Sequence, residues 1–171
     1  IVSIAGLVVG VAATGAPVST LLASGVAGAV AGAMSMAAGE YVSVQSQVDA
    51  ERADLAIEHH SLQQAPALEL QELAAIYVQR GLTPALAQTV AQQLTVHDAL
   101  GSHARDELGI NDQQRARPLQ AALASAAAFA VGAALPLLAV VLLPAAQVGL
   151  GTSVVTVAGL ALTGGWAARM G

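Results

Sequence analysis

Hydrophobic and polar positions along this chain fall into blocks. No ionisable side chain occurs before Glu40, and none occurs in residues 118–168. Between them, residues 49–112 hold ten of the acidic residues and all four histidines. Apolar, polar, apolar is the order expected of membrane helices flanking a water-exposed segment. Within the apolar blocks there is no strand-like alternation, so helices are predicted throughout.

Residues 1–15 form an apolar helix. It is shorter than the roughly 20 residues a bilayer crossing requires, so a missing turn before Ile1 is expected. Small residues around Pro17 make a turn. Residues 18–46 form a second span, in which Gly25, Gly28 and Gly32 leave a face without bulk for close helix packing. With no Pro or Gly to stop it after Gly39, this helix runs on through a polar stretch, 47–64, until Pro66. A helix over 67–80 carries Leu68, Leu70, Leu73, Ile76 and Tyr77 and ends at Gly81. Thr83 and Pro84 open another over 84–108, with Leu86, Val90, Leu94 and Leu100 as its apolar set, closed by Gly109. After a polar linker, Pro118 opens a third span to residue 143, with Pro136 expected to kink it or free a carbonyl. Residues 146–168 form a fourth, with Trp166 as an interface anchor.

The fold class is therefore all-α, a polytopic membrane protein. Its expected domains are 1–46, with a truncated first span and the second, then a polar three-helix module over 47–112, then 113–171 with spans three and four. Arg52, Arg80, Arg105, Arg115 and Arg117 lie in the middle and Arg169 follows the last span. An even number of crossings separates them, so the positive-inside rule places residues 47–117 in the cytosol.

Composition sharpens this. The chain is 56% hydrophobic and only 10% charged, against about 25% charged in soluble domains. Without cysteine, disulfides, iron–sulfur clusters and zinc ribbons are excluded. The formal net charge of −5 argues against nucleic acid and for cations as partners.

Two constellations carry candidate chemistry. Met36 and Glu40, four residues apart on one helix face, combine a soft thioether with a hard carboxylate. That set suits a borderline divalent ion better than Mg²⁺ or Ca²⁺, and an ionisable group at a membrane span is by default functional. The second is acidic. Glu51, Asp54 and Glu58 form one stripe, Glu69 and Glu72 stand at i, i+3, and His103 and Glu107 at i, i+4. Carboxylates from three helices with a histidine are able to converge on divalent cations, although solvated faces are the commoner fate of such runs. No nucleophile–base pair, phosphate loop or dinucleotide fingerprint is present, so neither an enzyme nor a resident cofactor is expected. A di-iron oxidase would favour a Glu-x-x-His repeat on two helices, which is missing.

The stretches Ile1–Gly10, Met34–Gln47, Glu72–Gly81, His97–Leu100 and His103–Gly109 together resemble the vacuolar iron transporter family, and the chain reads as a bacterial member. The run Ser35-Met-Ala-Ala-Gly-Glu-Tyr-Val-Ser43 is highly specific. The resemblance implies a five-span homodimer in the membrane, with a cytosolic helical metal-binding domain inserted between spans two and three. It implies export of Fe²⁺, and often Mn²⁺, from the cytosol in exchange for protons. Met36 and Glu40 match the family's pore segment, Glu69 and Glu72 its paired glutamates on the domain's second helix, Glu107 the acid on the third, and Glu58 the first-helix acidic set. The family's first-span aspartate would fall before Ile1 and its fifth span after Gly171. His103 stands where eukaryotic members carry Met, a harder ligand. The alternative is a membrane-anchored metal sensor or buffer that moves no ions.

Overall fold

The computed structural model describes residues 1–111 and 116–170. Asp112 and Arg115, used above for the domain boundary and the charge bias, lie outside them. Among the described residues the chain is helical, in six α-helices: α1 Val2–Ala12, α2 Val18–Gln64, α3 Pro66–Gln79, α4 Pro84–Asp106, α5 Pro118–Leu142 and α6 Val148–Met170. A 3₁₀ turn, Ala145–Gln147, precedes α6. The expected second span and its polar extension are one helix of 47 residues.

The chain divides into two compact units, residues 1–42 with 118–171, and residues 43–117. In the first, Ile4, Val8, Leu21, Ala133, Val140 and Val148 form a buried core. The glycines of α2 make its contacts possible. A Cβ on Gly25 would fall 2.6 Å from Leu137, one on Gly28 would fall 2.7 Å from Leu7, and one on Gly32 would strike the Phe129 ring. Outside this core, Val131, Leu142, Leu150 and Leu162 are largely exposed. A water-soluble domain would not leave so many large apolar side chains open. Among the described residues, three helices are long and apolar enough to cross a membrane: α2, α5, and the stretch of α6 with its 3₁₀ turn. The fold is thus an all-α membrane protein. Pro136 lies buried within α5.

In the second unit α3 packs on α4 through Leu73, Ala74 and Ala91, with Leu70, Tyr77 and Leu94 alongside. The contact face of α4 differs from the expected leucine face. Ala87 and Ala91 are fully buried, whereas Leu86 is half-exposed. Small side chains at the crossing let two short helices approach closely. Both helices end as the glycines foretold. Gly81 (φ +100°) and Gly109 (φ +71°) take left-handed conformations; the Leu82 N–H bonds back to the Tyr77 carbonyl in the Schellman manner, and the Ile110 N–H reaches the Ala104 carbonyl in a wider turn. Pro84 takes the first helical position of α4, but the Thr83 side chain makes no capping bond.

One feature of α4 has no counterpart in the sequence reading. Asp98 leaves the helical conformation (φ −161°, ψ 90°), so the helix stops and restarts there. The Asp98 Oδ1 accepts a hydrogen bond from the Gly101 N–H at 3.0 Å, which caps the second half in the usual N-terminal way.

Candidate metal centre

The second unit gathers a nitrogen and three carboxylates. Glu58 comes from α2, Glu69 from the first turn of α3, His103 from the restarted half of α4, and Glu107 from its C-terminal cap. One donor atom from each lies within 4.8 Å of all the others. Ligand atoms on opposite sides of a divalent transition metal stand about 4.2 Å apart. Neighbouring donors on one ion stand closer, at about 3–3.5 Å, so the four would draw together around a bound cation.

Burial makes this arrangement costly without a cation. His103 is fully buried, Glu58 is 7% exposed and Glu69 8%; Glu107 stands at the solvent edge. The His103 Nδ1 lies 2.9 Å from Glu107 Oε2 and 3.1 Å from Glu58 Oε1. Only the Glu107 contact is a hydrogen bond; among the described residues, Glu58 Oε1 and His103 Nε2 are buried without one. Burial pushes the Glu58 carboxyl above the ordinary range, and repulsion from Glu107 adds to this; His103 opposes it, and Glu69 and Glu72 raise it further. Glu69 is raised by burial first and by Glu72 second, with His103 opposing and Glu107 adding. Both carboxyls lie outside the apolar part of α2, where three carboxylates face one imidazole. A proton or a cation is what the geometry calls for.

A second cluster beside it orders the end of α4. The Asp106 carboxylate accepts from the Tyr77 hydroxyl (2.7 Å), from Arg80 Nη1 (2.6 Å) and from Arg105 Nη2 (3.0 Å). The Arg80 guanidinium also lies 5.4 Å from the Tyr77 ring centre, within cation–π range. Burial alone would raise the Asp106 carboxyl, but hydrogen bonds from Arg80, Tyr77 and Arg105 outweigh it and hold it below its usual range. Sequence reading placed Tyr77 in the apolar set of its helix and missed this role. The only signal was a Tyr and an Arg three apart before a glycine stop.

The other candidates lie elsewhere. Glu72 is exposed beside the cluster and acts on it through charge. Glu51 faces a separate cavity of about 190 Å³, lined also by Arg52, Leu55 and Ile110. Asp54 is exposed. Met36 and Glu40 belong to the other unit, where Met36 is 48% exposed and Glu40 is also open.

Comparison with known proteins places this architecture. The model of the VIT family matches residues 1–171. The chain is 47% identical over 131 residues to a vacuolar iron transporter of Acanthamoeba castellanii, covering 77% of this chain and 50% of that protein. It is 33% identical over 151 residues to vacuolar iron transporter 2 of Oryza sativa subsp. japonica, covering 87% and 61%. To vacuolar iron transporter 1 of Arabidopsis thaliana it is 32% identical over 151 residues, covering 87% and 60%. It spans about half to three-fifths of the length of these relatives. The chain belongs to the VIT family, a family named for transport rather than catalysis.

Proposed function

We propose that this member of the VIT family moves divalent iron out of the cytosol, and that Glu58, Glu69, His103 and Glu107 capture the ion before it crosses. The observation that carries the reading is the set of three carboxylates converging on a buried imidazole, with Glu58 Oε1 and His103 Nε2 unpartnered. Nitrogen and oxygen donors together suit Fe²⁺ or Mn²⁺ better than Ca²⁺ or Mg²⁺, which favour oxygen alone. The relatives' names support iron as the cargo.

In this reading, residues 47–117 face the cytosol, the chain crosses the membrane several times, and Fe²⁺ arrives as substrate. Glu58 and Glu69, which hold protons above the ordinary carboxyl range, release them as the ion enters. The ion then passes to Met36 and Glu40 on the apolar part of α2. Protons from the far side compete for Glu40 and free the ion there, making the cycle an exchange of metal for protons. The exposure of Met36 and Glu40 fits a pathway completed by a second copy, hence a homodimer. Glu51, Asp54 and Glu72 form an acidic approach that raises the local cation concentration.

The test is Fe²⁺ uptake into sealed vesicles carrying the protein at the length of its relatives, under an imposed pH gradient. Wild type should accumulate Fe²⁺ with the gradient, and Glu40→Gln should lose that uptake. A second reading, a membrane-anchored metal sensor or buffer, is favoured by the cluster lying wholly inside the separate compact unit of residues 43–117. Metal binding without flux under any gradient would establish it in place of transport.

A further inference from the structure

The break at Asp98 lies five residues before His103, and helix geometry says what it does. At 3.6 residues per turn, each residue advances about 100° around the axis. Counted from Ala91, Ala87 and Leu94 lie within about 60°, so these three form the face of α4 that meets α3. On an unbroken helix His103 would stand about 120° from Ala91, and Glu107 about 160°. Both would point away from that face. The same count would bring Arg105 to about 40° from Ala91, setting a guanidinium against an apolar contact. The observed burial differs for these residues. Ser102, His103 and Ala104 are buried, and Arg105 is exposed. The burial departs from what the unbroken count gives for His103 and Arg105, and Asp98 is the residue with non-helical dihedrals between the halves.

The new start is built from three local features. The Asp98 Oδ1 takes the Gly101 N–H at 3.0 Å. The Ser102 hydroxyl donates to the Asp98 carbonyl at 2.7 Å. Gly101 leaves room for the folded-back carboxyl group. A Cβ there would lie 2.8 Å from Asp98 Cγ and strike its Oδ2. Neither Asp98 nor Gly101 belongs to the donor cluster.

We propose that Asp98 and Gly101 are positioning residues for metal capture: the capped restart they form turns His103 and Glu107 toward Glu58 and Glu69. This rests on the reading of those four residues as a metal site. It assigns the assembly of the site to a carboxylate that never touches the ion. Residues that orient a metal ligand without contacting the metal commonly change affinity by about 10-fold to 100-fold when replaced.

The test is Co²⁺ titration of the whole chain in detergent, read by the visible d–d absorption of the bound ion. Asp98→Ala, which removes the cap, and Gly101→Ala, which removes the room for it, should each weaken Co²⁺ binding by at least about tenfold and alter the spectrum. Asp98→Asn keeps an acceptor oxygen at the same place and should restore near-wild-type binding. The chain has no cysteine, so a second, metal-free measurement is clean. A cysteine at the buried position Ala104 should resist maleimide in the parent and become reactive when Asp98→Ala is added, as the half-helix turns back. Wild-type affinity and spectrum in both alanine variants, or equal loss in Asp98→Asn and Asp98→Ala, would overturn the proposal while leaving the metal site standing. If wild type binds no Co²⁺, the site reading fails, and the positioning role falls with it even if the cysteine reports the turn.

Discussion

Glu58 Oε1 lies 3.1 Å from His103 Nδ1 but makes no hydrogen bond with it. Glu107 Oε2 reaches the same nitrogen at 2.9 Å and takes the bond. One nitrogen thus stands between two carboxylate oxygens, with a third glutamate nearby. The cluster is short of positive charge by construction, and its behaviour toward mutation, pH and metal follows from that shortage.

Neutralising one member should separate stability from affinity. Where pH is high enough to ionise Glu58, Glu58→Gln removes a like charge from the buried cluster, so the metal-free protein should gain about 1 kcal/mol there, against the usual sign of a point mutation. The same change removes a donor, so divalent metal should bind at least about tenfold more weakly. Thermal unfolding with and without Co²⁺ reads both. A variant that loses stability without metal would show that the carboxylate is satisfied in the resting fold.

Metal binding should release protons. Glu58 and Glu69 hold protons to higher pH when folded than when unfolded. Their effect on the metal-free fold has a definite sign: it is most favourable in acid, and is lost as pH rises through the raised folded values. Metal runs the other way, since it needs both carboxylates ionised. Affinity should fall as pH drops from neutral toward the ordinary carboxyl range. Calorimetry in two buffers of different ionisation heat counts the protons released. Equal heats in both buffers would mean the glutamates are already ionised before the metal arrives.

Asp106 should behave as the opposite kind of carboxylate. Its folded value is lowered, so its contribution is present above the unfolded value and disappears as pH falls through the folded one. Asp106→Asn weakens charge-assisted bonds from Tyr77, Arg80 and Arg105 and should cost about 1–3 kcal/mol. Chemical unfolding at neutral pH and at about pH 3 checks this, because the difference between variant and wild type should shrink in acid.

The α2 glycines offer a matched comparison in the apolar unit. A Cβ at Gly32 strikes the Phe129 ring, whereas one at Gly39 meets nothing within 4 Å. Gly39→Ala should stabilise by up to about 1 kcal/mol through helix propensity. Gly32→Ala should lose that gain and about 1–3 kcal/mol more through overpacking. Adding Phe129→Leu to Gly32→Ala should recover part of the loss, a coupling that a double-mutant cycle in detergent measures.

What the sequence determined by itself is local. The absence of charge through residues 1–39 and 118–168 dictates apolar helices, because a backbone in lipid must satisfy itself. Gly81 and Gly109 end their helices because the left-handed turn there excludes bulkier residues. The i, i+4 spacing puts His103 and Glu107 on one face whatever surrounds them.

Tertiary structure decided which carboxylates meet. Glu51 and Glu58 share a stripe, but seven residues carry them about 10 Å apart along the axis, so Glu58 reaches His103 while Glu51 faces another cavity. Tyr77 and Asp106 stand 29 residues apart in sequence and are bonded in space. α4 breaks at Asp98, five residues before His103, and periodicity could not disclose that break. A regular pattern assumes a continuous helix, and a capped restart is favoured only when the face it turns inward has partners waiting on other elements.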